Sequence, residues 1–227
     1  MNARARVRAE ISREILDAAK HEVAADGASG LSLRAVARRV GMVPSALYRY
    51  FPRRDDLLTA LIVDAYDALG SAVEAADQPG ATPMERWLAV AGAARAWAGG
   101  HVHDWALLYG TPVTGYQAPE ATIEPALRIT RVVAGIFAAA LPPGPAPQAN
   151  MPAAPTGLDD VVAPMRDLLL PGRGADSVAG VLIAWAHLIG IVSLELFGHF
   201  KGATTDFERL FDYTVRAVGE LGGLISV

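Results

Sequence analysis

Apolar residues recur at intervals of three and four along most of the chain, and no run of alternating apolar and polar residues extends beyond a few positions. Because an α-helix repeats every 3.6 residues whereas a strand repeats every two, this pattern predicts an all-α fold. Four helices are predicted in the first third of the chain, at about residues 5–25, 33–40, 44–51 and 55–69. Six more are predicted after it, at about residues 83–99, 103–109, 120–141, 158–169, 175–200 and 205–221.

Residues with known preferences for helix ends mark the borders of the first three helices. Gly27 lies just past the first apolar pattern, where helices commonly end. The hydroxyl of Ser32 is placed to cap the second helix, and Gly41 is placed to end it. The third helix begins at Pro44, a residue suited to the first helical position, and Pro52 closes it.

The most informative stretch is residues 33–51, which read LRAVARRVGMVPSALYRYF. It predicts a helix, a tight turn over residues 41–43 and a second helix. Val36 and Val40 can pack against Leu47, which leaves the opposite face of the second helix free. Such a helix fits the major groove of B-DNA, so the stretch predicts a DNA-binding helix-turn-helix.

This stretch resembles the tetracycline-repressor (TetR) family of bacterial regulators over about residues 10–60. The residues in register with the family are Ser32, Ala37, Gly41, the Leu47-Tyr48 pair and Phe51. The resemblance implies a three-helix helix-turn-helix domain over residues 1–56 and a helical ligand-binding and dimerisation domain over residues 57–227. Weaker likeness to the C-terminal domain of one TetR subgroup is found in residues 97–101 and 108–116.

The resemblance also implies which residues contact double-stranded DNA. It implies base contacts for Ser45, Ala46 and Arg49, and a base or backbone contact for Arg34. Phosphate contacts are implied for Tyr48, Tyr50 and Arg54, whose hydroxyl and guanidinium groups are donors. A bidentate pair between Arg49 and guanine would contribute about 1–3 kcal/mol of discrimination.

Two features of this domain leave alternatives open. The family usually has Ser or Thr at the position of Val43, and a valine side chain cannot cap the helix that follows. Pro44 partly offsets this because it brings no amide hydrogen. Near the N-terminus, Arg4, Arg6 and Arg8 are expected to form either a disordered tail or an arm that enters the minor groove.

Charge is divided unevenly along the chain. Residues 1–56 contain 11 Lys and Arg against 7 Asp and Glu, a balance of +4. Residues 57–227 contain 9 Lys and Arg against 17 Asp and Glu, a balance of −8, and the two balances sum to the net charge of −4. This division indicates that the N-terminal part contacts a polyanion. Arginine outnumbers lysine 18 to 2 in the whole chain, so one arginine is weaker support for phosphate binding than usual.

The last two predicted helices carry apolar surfaces suited to a homodimer. Helix-turn-helix modules usually bind as twofold dimers to half-sites about 34–36 Å apart. The resemblance implies the same arrangement, and an intramolecular bundle is the alternative. The candidate interface residues are Leu196, Phe200, Phe207, Leu210, Phe211, Val215 and Val218.

The region between the helix-turn-helix domain and the last two helices is predicted to enclose a small-molecule effector. Aromatic residues can line an apolar pocket with a few polar groups, although core packing is the alternative for each of them. No cofactor or metal is predicted, because His101 and His103 would diverge on a helix. A proline-rich stretch over residues 142–157 is predicted to be a flexible loop. The candidate ligand-binding residues are Trp97, His101, Trp105, Tyr109, Tyr116 and Trp185.

Other classes of protein fit the sequence less well. Residues 178–194 are apolar but short for a bilayer crossing, so a buried helix is predicted, and the absence of a secretory signal pattern favours the cytoplasm. No catalytic motif is present, and the absence of cysteine excludes disulfides and thiol nucleophiles. The sequence therefore predicts a regulator that a small molecule releases from its operator. The alternatives are a ligand-independent architectural DNA-binding protein and an enzyme of unrecognised type.

Overall fold

The computed structural model describes residues 3–140 and 154–224. In those ranges the chain forms ten α-helices and one 3₁₀ turn, Glu120–Thr122, and no strand, so the all-α prediction is confirmed. The helices are α1 Ala3–Gly30, α2 Leu33–Arg39, α3 Pro44–Leu47, α4 Arg54–Ala76, α5 Pro83–Gly100, α6 Val102–Tyr109, α7 Ile123–Ala140, α8 Leu158–Leu169, α9 Ala175–Leu196 and α10 Phe207–Leu221.

The first helix differs most from its prediction. It begins at Ala3, so the disordered tail expected near Arg4, Arg6 and Arg8 was wrong, because all three residues are helical. Their entry into the minor groove stays a prediction. It also continues past Gly27 to Gly30, with a kink at Gly27, where φ is 71°. The glycine interrupts the helix as expected, but one further turn forms beyond it.

The predicted loop over residues 142–157 falls mostly on residues 142–153, outside the described ranges, and residues 154–157 are not helical.

The described helices belong to two compact units. The first contains residues 1–67 and 101–125, and the second contains residues 68–100 and 126–227. The first unit is built on a hydrophobic core that α1, α2, α3 and the first part of α4 share, and Leu107 of α6 also packs against it. The boundary predicted at residue 56 does not assign residues 101–125 to this unit, and the domain limits remain a prediction.

In the second unit, α9 packs against α5, α8 and α10. Trp87 of α5 is fully buried, and its Nε1 donates a hydrogen bond of 2.8 Å to the main-chain oxygen of Val215 in α10. Gly219 lets α10 approach that ring, since a Cβ there would lie 2.8 Å from Cδ1 of Trp87. Among the described helices, α9 is the one that is long and apolar enough to cross a membrane, and 44% of its most apolar window is buried.

Candidate nucleic-acid interface

The supporting helix α2 has the N-terminal cap expected from the sequence. Oγ of Ser32 accepts a hydrogen bond of 3.5 Å from the amide of Ala35. The apolar side chains of Leu33, Val36 and Ala37 are buried in the core of the first unit. The opposite face, which includes Arg34, is exposed.

The turn after α2 requires a glycine. Gly41 has φ of 69°, in the left-handed region that other residues rarely adopt. The amide of Met42 then donates a hydrogen bond of 2.8 Å to the main-chain oxygen of Ala37, which closes the end of the helix. This geometry brings the chain into α3 at Pro44, four residues after Val40.

The second helix of the motif is shorter than predicted. Regular helix extends only from Pro44 to Leu47, and the chain then tightens, with the amide of Tyr50 donating to the main-chain oxygen of Leu47 at 2.8 Å. Phe51 is excluded from the helix because it precedes Pro52, whose ring disfavours helical backbone at that position. We call residues 44–50 the recognition segment.

The recognition segment starts without a side-chain cap. Val43 precedes it in an extended conformation, 65% exposed, and makes no side-chain hydrogen bond to the helix. Leu47 anchors the segment because its side chain is fully buried. The segment is therefore held by one buried leucine and by Phe51 immediately beyond it, which is also buried.

The residues expected to contact DNA are turned outward from this anchor. Ser45, Tyr48 and Arg49 are exposed, whereas Ala46 and Tyr50 are partly buried. Tyr50 packs against the core of the first unit, which leaves part of its surface accessible. The segment thus presents two hydroxyl groups and one guanidinium to solvent at Ser45, Tyr48 and Arg49.

Arg54 has a contact that sequence reasoning missed. Its guanidinium donates hydrogen bonds to three main-chain oxygens at the end of α1, at 2.7 Å to Ala28, 3.2 Å to Ser29 and 3.0 Å to Leu31. Helix α1 ends there, so its last carbonyls run short of main-chain donors, although the oxygen of Ala28 also accepts from the amide of Leu31 at 3.4 Å. The phosphate contact expected of Arg54 stays a prediction, and the same group ties α4 to α1.

A partly exposed ion pair joins α1 to α4 in the first unit. Nζ of Lys20 in α1 lies 2.6 Å from Oδ2 of Asp64 in α4. Burial raises the pKa of Asp104 in α6, while the positive charge of Lys20 opposes that rise. Apolar periodicity indicated that α1 and α4 are helices but carried no signal for this pairing.

The candidate ligand-binding residues are divided between the units. His101, Trp105, Tyr109 and Tyr116 belong to the first, and Trp97 and Trp185 belong to the second.

In the first unit, Trp105 and Tyr109 lie with ring centroids 4.7 Å apart, and burial raises the pKa of Tyr109. The hydroxyls of Tyr116 and Thr59 are 3.0 Å apart, and both residues line a groove of about 530 Å³. His101 is exposed at the start of α6.

In the second unit, Trp97 is buried and Trp185 is partly buried. Nε1 of Trp185 is inaccessible to solvent and has no hydrogen-bond partner among the described residues.

The candidate interface residues lie along one stripe of α10, at the last residue of α9 and at Phe200 between the two helices. Phe211 and Val215 are buried by their own subunit, because this side of α10 packs against α5 and α9. The others are partly buried: Leu196, Phe200, Phe207, Leu210 and Val218. The strongest apolar stripe of α10 therefore faces its own chain.

Comparison with known proteins identifies the family. The family model for "Bacterial regulatory proteins, tetR family" matches residues 15–61, and that for "Tetracyclin repressor-like, C-terminal domain" matches residues 87–218. The chain belongs to the TetR family. It is 37% identical over 215 residues to the HTH-type transcriptional regulator Rv1816 of Mycobacterium tuberculosis, which covers 92% of this chain and 91% of the relative.

Two solved structures resemble this chain over nearly its whole length. The crystal structure of SCO4313 has a TM-score of 0.80 and 34% identity, with 96% of this chain and 98% of that chain covered. A protein from Rhodococcus sp. RHA1 has a TM-score of 0.63 and 26% identity, with 95% of each chain covered.

As a TetR-family member, the protein is a soluble DNA-binding transcriptional regulator and not an enzyme. The family assignment made from residues 10–60 is confirmed. The N-terminal match includes α2, the turn at Gly41 and the recognition segment. The C-terminal match includes the candidate ligand-binding and interface residues, whose individual roles remain predictions.

Proposed function

We propose that the protein is a ligand-responsive repressor, which binds its operator as a homodimer and is released from it by a small molecule. The observation that carries this proposal is the recognition segment, in which one buried leucine anchors an otherwise outward-facing turn. Arg49 and Tyr48 are exposed there on a segment that a well-packed core holds in place. Exposed donors on a fixed turn are what base and phosphate contacts require.

The test of DNA binding starts by recovering the genomic DNA fragments that the protein binds. Sequencing of protein-bound genomic fragments should recover a shared inverted repeat with half-sites about one helical turn apart. Gel-shift titration with that duplex should then give binding that Arg49→Ala and Tyr48→Phe weaken at moderate salt. Recovery of fragments without a shared sequence would favour the architectural DNA-binding alternative.

The homodimer is proposed to form through outward faces of α9 and α10. At 100° per residue, Ile183, Leu194 and Phe197 fall on one side of α9, and they are 39%, 41% and 42% exposed. In α10, Tyr213 is 73% exposed and Leu221 is 38% exposed. Because solvent-facing flanks of helices are usually charged, the uncharged side of α9 favours a second copy of the chain as its partner.

The other side of α10 supplies a control for the dimer. At 100° per residue, Glu208 and Asp212 lie about 140° and 100° around the helix from Tyr213, and both are exposed. Sedimentation velocity should show that Tyr213→Glu shifts the protein toward monomer, whereas Glu208→Gln, on the other side of the same helix, leaves the dimer intact. A dimer that tolerates Tyr213→Glu and Leu194→Glu together would rule out this interface.

The effector is proposed to bind in the C-terminal domain, with Trp185 as a polar contact. A buried indole N–H without a partner is costly, so an acceptor on a bound molecule would stabilise it. Trp185→Phe removes the donor and keeps an aromatic ring. Addition of the cell's metabolite pool should release wild-type protein from the duplex, and the variant should need more of the active fraction. Failure of every fraction to release the wild-type protein would contradict ligand control.

A further inference from the structure

Arg8 of α1 contacts the far end of the recognition segment. Its Nη2 donates a hydrogen bond of 3.3 Å to the main-chain oxygen of Arg49. Its guanidinium carbon lies 5.2 Å from the ring centroid of Tyr50, within the range of a cation–π contact. The two residues that it contacts are 41 and 42 positions away along the chain and belong to the surface expected to face DNA.

The recognition segment needs such support because its own helix is short. Regular helix covers only Pro44–Leu47, and Val43 provides no side-chain cap. At the other end, Pro52 has no amide hydrogen and cannot donate to a carbonyl of the last turn. The oxygen of Arg49 is in this last turn, where arginine side chains commonly satisfy carbonyls that lack helical partners.

We propose that Arg8 is a positioning residue, which fixes the C-terminal turn of the recognition segment before DNA binds. Its hydrogen bond holds the backbone of Arg49, and its planar guanidinium holds the ring of Tyr50. Fixing these two residues in advance removes part of the conformational entropy that ordering would otherwise cost on binding. The inference rests on the proposed DNA-binding role of this segment.

A direct phosphate contact by Arg8 is the competing explanation, since its side chain is exposed and positively charged. The two explanations differ in the protein without DNA. Positioning requires Arg8 to order the recognition segment in the free protein, whereas a phosphate contact has no effect until DNA is present. Hydrogen exchange of the free full-length protein therefore separates them.

The decisive readout is amide exchange of peptides that cover residues 44–53. The amides of Arg49, Tyr50 and Phe51 all donate main-chain hydrogen bonds. We expect Arg8→Ala to speed their exchange several-fold and Arg8→Lys to restore part of the protection. Arg6→Ala removes the same charge from the same helix without this contact, and it should leave the exchange unchanged. Equal exchange in wild type and Arg8→Ala would overturn the proposal.

DNA binding gives a second readout on the duplex recovered from the genome. Arg8→Ala should weaken binding about three- to tenfold, as expected for the loss of one exposed cation–π pair and one hydrogen bond. In a double-mutant cycle with Tyr50→Leu, the double variant should lose less affinity than the product of the two single losses, because the cation–π contact is removed only once. Losses that simply multiply would contradict coupling through Tyr50. If wild-type protein prefers no duplex, the proposed function fails, and the exchange result still decides the role of Arg8.

Discussion

Replacing Arg54 with methionine separates the contact seen in the structure from the phosphate contact expected from the sequence. Methionine keeps most of the aliphatic stem and removes every guanidinium donor. The substitution leaves the last carbonyls of α1 without the side-chain donor that joins them to α4.

The magnitude follows from how far these hydrogen bonds are shielded from water. The bonds to Ala28 and Leu31 lie in partly buried surroundings, whereas the bond to Ser29 is exposed. A hydrogen bond to a charged group contributes about 1.5–3 kcal/mol when well shielded, and the Arg54 side chain is 31% exposed. Discounting for solvent, we expect Arg54→Met to lower the free energy of unfolding by about 2 kcal/mol.

Urea unfolding followed by circular dichroism measures this loss. Arg53→Met is the matched control, because Arg53 is the adjacent arginine and its side chain, 76% exposed, forms an ion pair with Asp56 of the same turn. The control should unfold like the wild type. If Arg54→Met also unfolds like the wild type but binds DNA more weakly, Arg54 acts only on phosphate and the reasoning from its carbonyl contacts is refuted.

Three further substitutions test separate parts of the structure. Val43→Ser should raise the free energy of unfolding by about 0.5–1 kcal/mol, because a serine can cap the uncapped α3, and Val43→Ala should not. Gly219→Ala should lower it by about 1–3 kcal/mol by displacing Trp87, whereas Gly92→Ala, with nothing within 4 Å of its Cβ, should be tolerated. Both effects are read from thermal unfolding. Asp104→Asn tests the partly buried carboxyl group of Asp104. Urea unfolding should show that the stability of the wild type, relative to this variant, falls as the pH rises.

The sign of the Asp104 effect follows from the direction of its pKa. Burial raises the pKa in the folded protein above the value of about 3.9 in the unfolded chain. The favourable contribution is then complete below the unfolded pKa and is lost as the pH rises through the folded pKa. A relative stability that rises with pH would contradict this environment for Asp104. Equal stability of Val43→Ser and Val43→Ala, or of Gly219→Ala and Gly92→Ala, would contradict the corresponding contacts.

The helical fold and the motif could be predicted because their signals are local. Ser32 and Gly41 act within a few residues of their own positions, through a cap and a left-handed turn. The sequence also predicted the apolar stripe of α10. Periodicity does not show, however, whether the same chain or a second subunit covers that stripe. Phe211 and Val215 proved to face their own subunit because Trp87 and Gly219 bring α5 against that side.

The contacts of the arginines could not be predicted because they join residues far apart in the chain. Arg54 reaches carbonyls 23 to 26 positions earlier, and Arg8 reaches one 41 positions later. Both acceptors are main-chain oxygens, which leave no trace in side-chain composition. The high arginine content of the chain further weakened any signal from single positions.

The central claim is that the recognition segment reads a DNA sequence, and fluorescence anisotropy tests it most directly. Wild-type protein and Arg49→Ala are titrated, at one moderate salt concentration, with the duplex recovered from the genome and with a scrambled duplex of equal length. Wild type should prefer the recovered duplex by about a thousandfold or more. Arg49→Ala should lose about ten- to a hundredfold of that preference. Equal affinity of wild type for both duplexes, or an unchanged preference in Arg49→Ala, would contradict this account.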